Sequence, residues 1–167
     1  MTTLSGSYPF QLRANVQARL VAGERYLVEL LQRFSIPVLR VAMSLVFFWF
    51  GALKVADVTP VGDLVADTLP FLDRHWLVPG MGVLEVLLGV GLLARWRFRI
   101  ILLTMIGHLS GTFLVLLVLP NLAFQQGNPL LLTTTGEFVV KNLVLIAAAM
   151  VLLAWTGRRP ARATGSA

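Results

Sequence analysis

Four long apolar stretches dominate the hydropathy pattern of the chain. A helix needs about 20 mostly apolar residues to cross the hydrocarbon core of a bilayer, and each stretch has, or nearly has, that length. The stretches cover residues 38–55, 80–96, 100–119 and 138–155. The pattern therefore predicts an all-α integral membrane protein, folded as a bundle of four transmembrane helices.

A second, amphipathic periodicity precedes the first stretch. Apolar residues recur at helical spacing from Leu12 to Phe34, with four arginines among them: Arg13, Arg19, Arg25 and Arg33. A basic amphipathic helix of this kind typically lies on a membrane surface. We expect residues 1–37 to form such a surface helix, with docking onto a partner protein as the alternative. Pro37 would then stand in the first turn of the first span, where its missing N–H costs nothing.

Composition excludes several classes of protein. Of the 167 residues, 57% are hydrophobic and 13% charged, against about 25% charged residues in an average soluble domain. A soluble enzyme or a disordered chain is therefore excluded. The net charge of +6 does not indicate a nucleic-acid partner, because the arginines flank apolar stretches. The absence of cysteine excludes disulfides and thiolate metal sites.

The distribution of basic residues predicts the orientation in the membrane. Eleven arginines lie before or at the start of the first span, at or between the adjoining ends of the second and third spans, or after the fourth, whereas Arg74 is the one arginine of the other two links. Since basic residues accumulate on the cytoplasmic side, both termini should be cytoplasmic. The loops 56–79 and 120–136 should then face outward. We expect residues 157–167 to form a disordered cytoplasmic tail.

Five ionisable residues lie within or at the edges of the predicted spans: Lys54, Glu85, His108, Glu137 and Lys141. Counting about 1.5 Å of rise per residue places all but His108 in the outer half of the membrane, with Glu85 about 9 Å deep. His108 should lie deeper, near the middle. Glu137 and Lys141 are also spaced for an i,i+4 pair, and Asn142 adjoins Lys141.

This predicted cluster has two main interpretations. Structural ion pairs would hold the helices together, because removing one partner strands the other. Alternatively, the residues line an outward-facing polar pocket for a small molecule, a quinone head group or a proton, since intramembrane ionisable residues often mark functional sites. His108 is then a candidate ligand contact. A haem or metal site has little support, and we assign no metal ligand.

Small residues in the third span indicate close helix packing. Gly107 and Gly111 form a small-xxx-small pair, which lets a neighbouring backbone approach closely. We expect that neighbour to belong to the same bundle, with a homo-oligomer interface as the alternative.

Three short segments resemble the DoxX-like membrane proteins. They are LVFFWFGALK at 45–54, GVLEVLLG at 82–89 and TGEFVVKNL at 135–143. The last of these is similar to the branch that contains the reactive-chlorine-resistance inner-membrane proteins. The resemblance covers about residues 40–153, and the charged or amide positions that match the family are Lys54, Glu85, Glu137, Lys141 and Asn142.

The resemblance implies a bacterial inner-membrane protein linked to redox metabolism or to resistance against oxidants. It carries over no catalytic role, and we do not expect the chain to be an enzyme by itself. A pocket that binds a quinone is the first hypothesis. A non-catalytic accessory subunit of a larger membrane complex is the second. A small transporter ranks third, because the inner half of the spans offers few polar residues.

Overall fold

Helices account for nearly all of the chain that the computed structural model describes, which is residues 8–157, with side chains from Arg19 onward. The α-helices are α1 (Tyr8–Val55), α2 (Gly62–Thr68), α3 (Arg74–Leu93), α4 (Phe98–Gly111), α5 (Leu114–Val118), α6 (Pro120–Ala123) and α7 (Thr134–Gly157). A single 3₁₀ turn, Gln125–Gly127, precedes α7. Within this range the only β pairing is an isolated bridge between Phe124 and Leu132. The tail predicted beyond Gly157 lies outside the described residues.

Four helical segments are long and apolar enough to cross a membrane. They are Arg19–Val55, Arg74–Leu93, Phe98–Val118 and Thr134–Thr156. The third combines α4 and α5, which a short turn at Thr112 and Phe113 separates. The predicted all-α, four-span membrane protein is therefore confirmed.

The chain divides into two units, residues 1–38 and residues 39–167. In the first unit the described residues are helical, and an apolar stripe on this helix is exposed. The stripe consists of Leu20, Leu27, Leu31, Phe34 and Val38. Pro37 lies inside α1, not at the start of a separate helix as the sequence suggested. The membrane-surface position of this segment stays a prediction.

In the second unit, glycines bring α1 and α3 into backbone contact. A methyl group built on Gly82 would lie 2.7 Å from the Gly51 carbonyl oxygen, and one built on Gly51 would lie 2.7 Å from the Gly82 carbonyl oxygen. A methyl group built on Gly89 would likewise lie 2.7 Å from the Ser44 carbonyl oxygen. Only glycine leaves room for such an approach, because any Cβ would overlap the opposite backbone.

Two helices begin earlier than the sequence predicted. Helix α3 starts at Arg74 because the Asp73 side chain accepts a hydrogen bond from the His75 N–H at 2.8 Å, which caps the first turn. Pro79 consequently lies inside the helix. Helix α7 starts at Thr134, where the Thr133 hydroxyl accepts from the Gly136 N–H at 3.2 Å. Both caps lengthen the spans at the expense of the adjoining loops.

Helix α2 interrupts the first of the loops predicted to face outward. It packs against α3 and α5, and its residue Thr68 is buried. The α2 helix therefore covers one end of the helices that follow it. Elsewhere in the described second unit, α7 packs against α4, α5 and α6, and α3 packs against α4.

The α1–α3 contact predicts an opposite effect of two similar substitutions in α3. Gly82→Ala should lower the free energy of unfolding by about 1–3 kcal/mol, the usual cost of overpacking. Gly80→Ala should leave it unchanged or raise it by up to about 1 kcal/mol, because alanine favours helix and a methyl group there meets no atom of another described element within 4 Å. Thermal unfolding in detergent measures both. Equal effects of the two substitutions would contradict the close contact.

Candidate functional site

A buried ion pair joins α1 to α3 beside the glycine contact. Lys54 Nζ donates to both carboxylate oxygens of Glu85, each at 2.6 Å. The two side chains are only 11% and 8% exposed. Gly51 and Gly82 stand three residues before Lys54 and Glu85 on their helices, so each glycine lies against the charged residue of the other helix. The close approach of the backbones therefore brings the two charges together.

Glu85 has a second partner on α4. His108 Nε2 lies 2.8 Å from Glu85 Oε1, and the imidazole is 7% exposed. With the carboxylate ionised against Lys54, Nε2 is the nitrogen that carries the donated proton. The other ring nitrogen, Nδ1, then accepts a hydrogen bond in neutral imidazole and donates one in imidazolium. Phe47 packs against the same ring, with centroids 6.2 Å apart.

A hydrogen-bonded pair of side chains joins α7 to the end of α4. Asn142 Nδ2 donates to Thr112 Oγ1 at 2.9 Å, and the Thr112 hydroxyl donates to the Leu109 carbonyl oxygen at 2.6 Å. Asn142 is buried. Because Thr112 follows His108 by four residues, both side chains lie on the same face of the helix.

These polar side chains line two neighbouring cavities of about 280 Å³ and about 60 Å³. Both cavities are lined by Lys54, His108, Thr112, Phe138 and Asn142. Glu85 lines only the smaller one. The polar groups therefore stand at the boundary between a small recess and a larger chamber.

The larger cavity is otherwise mostly apolar. Helix α2 and its flanks supply one wall through Val61, Leu64, Val65 and Leu69, together with the hydroxyl-bearing Thr68. The Thr68 hydroxyl donates to the Leu64 carbonyl oxygen at 2.7 Å, so it is already occupied within its own helix. A ligand in this cavity would therefore meet polar groups at one end and hydrocarbon elsewhere, which is typical of small-molecule sites.

The polar end can bind a hydrogen-bond acceptor. The Lys54 ammonium has three N–H groups, of which the two bonds to Glu85 engage at most two. The Asn142 amide has a second N–H besides the one donated to Thr112. The ion pair makes the cluster neutral overall when His108 is uncharged. An uncharged oxygen acceptor, such as a carbonyl, matches these donors without adding an unpaired charge to the membrane interior.

The single outer cluster predicted from the four charges is not formed. Glu137 and Lys141 make their own i,i+4 contact at 3.6 Å, with side chains 56% and 75% exposed, and neither lines the two cavities. Their positions on α7 point them away from Asn142, because successive residues of a helix lie about 100° apart. His108, expected below the others, is instead in direct contact with Glu85.

Gly107 and Gly111 also depart from expectation. A methyl group built on either one meets no atom of another described element within 4 Å. Neither glycine therefore makes the close approach predicted within the bundle, which Gly51, Gly82 and Gly89 make instead. Both line the larger cavity. The alternative, that Gly107 and Gly111 lie at a homo-oligomer interface, stays a prediction.

Sequence analysis missed Thr112, Thr68 and the whole of α2. The position of Thr112, four residues after His108, was a usable signal. The sequence contains no such signal for Thr68 or for α2, because α2 is a seven-residue helix in a segment that looked like an ordinary loop. Among the described residues, no three His, Asp or Glu side chains are grouped to hold a metal ion.

Comparisons of this chain with protein-family models, with curated proteins and with solved structures found no match.

The buried pair predicts a large coupling between two substitutions. Lys54→Met or Glu85→Gln alone should destabilise the protein by about 3–5 kcal/mol, because each leaves a buried group without its partner. The double variant should be more stable than the sum of the two losses implies. A double-mutant cycle of unfolding in detergent measures this coupling.

The exposed pair on α7 is the matched control. Glu137→Gln and Lys141→Met should each change stability by less than about 1 kcal/mol, since exposed ion pairs contribute little. Additive effects at Lys54 and Glu85 would show that their interaction does not hold α1 against α3.

Proposed function

We propose that this chain is a multi-pass protein of a bacterial inner membrane that binds a small carbonyl compound, most simply a quinone ring, in the larger cavity. The observation that carries the proposal is the meeting of Lys54, His108 and Asn142 at one end of an apolar chamber of about 280 Å³. Helix ion pairs alone need no such chamber beside them.

The donors at the polar end suit the ring oxygens of a quinone. The remaining N–H groups of Lys54 and Asn142 can donate to one carbonyl oxygen, while the apolar side chains of α2 contact the ring and its substituents. His108 lines the same end of the cavity, and Glu85 holds its Nε2 atom at 2.8 Å. These groups form a binding site for the ring.

The resemblance of three segments to DoxX-like proteins supports a role for this binding in redox metabolism or oxidant resistance. In that setting the cytoplasmic termini and the outward-facing site follow from the arginine distribution. The site would then be reached from the outer half of the membrane. The transporter hypothesis stays third, because the inner half of the spans offers few polar residues.

Asn142→Leu should weaken binding of a tail-free benzoquinone by about tenfold, the effect of losing one well-placed hydrogen bond. The variant should fold, because Thr112 keeps its bond to Leu109. Equilibrium dialysis of the full chain in nanodiscs measures the dissociation constant. Lys141→Met, one residue away and exposed, is the control and should bind as the unaltered protein does.

The same two variants test the link to oxidant resistance in cells. A strain that lacks the protein should regain resistance to hypochlorous acid with Lys141→Met but not with Asn142→Leu. No binding by the unaltered chain, or equal binding by both variants, would refute the proposed site. Equal resistance with both would refute its role in defence.

One observation favours a second function, that of an accessory subunit. The exposed apolar stripe of the first unit, from Leu20 to Val38, has the character of a surface that another molecule covers. Native mass spectrometry of the protein extracted from its own membrane should then show stoichiometric partner subunits, and Leu27→Glu with Leu31→Glu should remove them. Unchanged partners in that variant, or a chain without partners, would exclude this function.

A further inference from the structure

The larger cavity has a gap in its α4 side. Gly107 and Gly111 line the cavity, yet a methyl group built on either one meets no atom of another described element within 4 Å. Both glycines are exposed. They stand one turn apart, each directly before a polar residue of the site, His108 or Thr112. The gap therefore adjoins the polar end of the cavity.

The gap can take a hydrocarbon chain that runs past the two glycines. No atom of another described element lies within 4 Å of the point where a methyl group on either glycine would stand, so a ligand methylene can pack against the bare Cα atoms at the usual non-bonded distance of about 3.5–4.0 Å. A side chain larger than hydrogen at these positions would occupy that space. The two glycines thus keep open a passage that the helix would otherwise fill.

The face of the helix that carries the gap is exposed and mostly apolar, with Thr104 and Ser110 beside Gly107. Leu103 stands one turn before Gly107, and Leu114 follows Gly111 at the start of α5. These leucines are 57% and 44% exposed, and both belong to the span Phe98–Val118. In a transmembrane span an exposed apolar face contacts lipid chains. The gap therefore leads from the cavity to the hydrocarbon of the bilayer, not to water.

We infer that the site takes a membrane-dissolved ligand whose polar ring lies at Lys54, His108 and Asn142 and whose apolar tail leaves past Gly107 and Gly111 into the bilayer. This inference rests on the proposed function and adds the class of ligand, a tailed lipid-soluble compound, and the direction from which it enters. A water-soluble ligand would not enter through an opening onto lipid.

The test compares two probes on one pair of variants. The probes are a benzoquinone without a side chain and the same ring carrying a decyl chain, each measured with the full chain in nanodiscs. The first variant combines Gly107→Leu with Gly111→Leu, which fills the gap. The second is Gly80→Leu, the matched control, because Gly80 is also an exposed helical glycine with no neighbour within 4 Å but does not line the cavity.

The double variant should bind the decyl quinone about tenfold more weakly and the bare ring within about twofold of the unaltered chain. Gly80→Leu should bind both as the unaltered chain does. A diazirine at the end of the decyl chain should crosslink to residues 103–114.

Unchanged binding of the decyl quinone by the double variant would overturn this inference and leave the proposed site standing. Loss of both probes would also overturn it, since the ring itself would then occupy the gap. Binding of neither probe by the unaltered chain would refute the proposed function itself.

Discussion

The bidentate bond between Lys54 and Glu85 is the interaction on which the described bundle depends. An isolated charge in the membrane interior is expensive, so α1 and α3 must meet where these two side chains can reach each other. Gly51 and Gly82 make that meeting possible, because they let the two backbones touch just beside the charges. The ion pair therefore selects the register of the two helices, and the glycines set their separation. A larger residue at either glycine would part the charges as well as the helices.

Glu85 extends this constraint to the rest of the bundle. Its Oε1 atom serves both Lys54 and His108, so one carboxylate ties α1, α3 and α4 together. Asn142 and Thr112 add α7 through a separate bond on the same side of the cavity. The polar atoms are thus held in place by one another and do not need a ligand to become ordered. A site that is preorganised in this way loses little conformational freedom when it binds.

The sequence revealed the spans and most of the site residues, but not how those residues are grouped. Hydropathy detects a transmembrane helix directly, whereas depth along the helix axis says nothing about the direction in which a side chain points. This is why Glu137 and Lys141, expected in the same outer half of the membrane as Lys54 and Glu85, form an exposed pair of their own. The position of Glu85 along its helix was underestimated because the helix starts earlier than the sequence predicted. Counted from Arg74 and not from Pro79, Glu85 lies about 16 Å along α3, and His108 lies about 15 Å along α4. The two lengths add up to about the 30 Å thickness of the hydrocarbon core, which is how these residues of two consecutive spans come into contact.

The structural and the binding interpretations of the charged cluster predict different surroundings for it. Ion pairs that serve only assembly are best enclosed by close packing, because an open space beside them forgoes contacts between the helices. Here the opposite is found. Lys54 of the ion pair borders a chamber of about 280 Å³. Helix α2 and its flanks cover that chamber with four apolar side chains, and two exposed glycines line one side of it. The ion pair explains why α1, α3 and α4 stay together. It does not explain the chamber, the cover or the gap, and a ligand with a polar ring and an apolar tail accounts for all three.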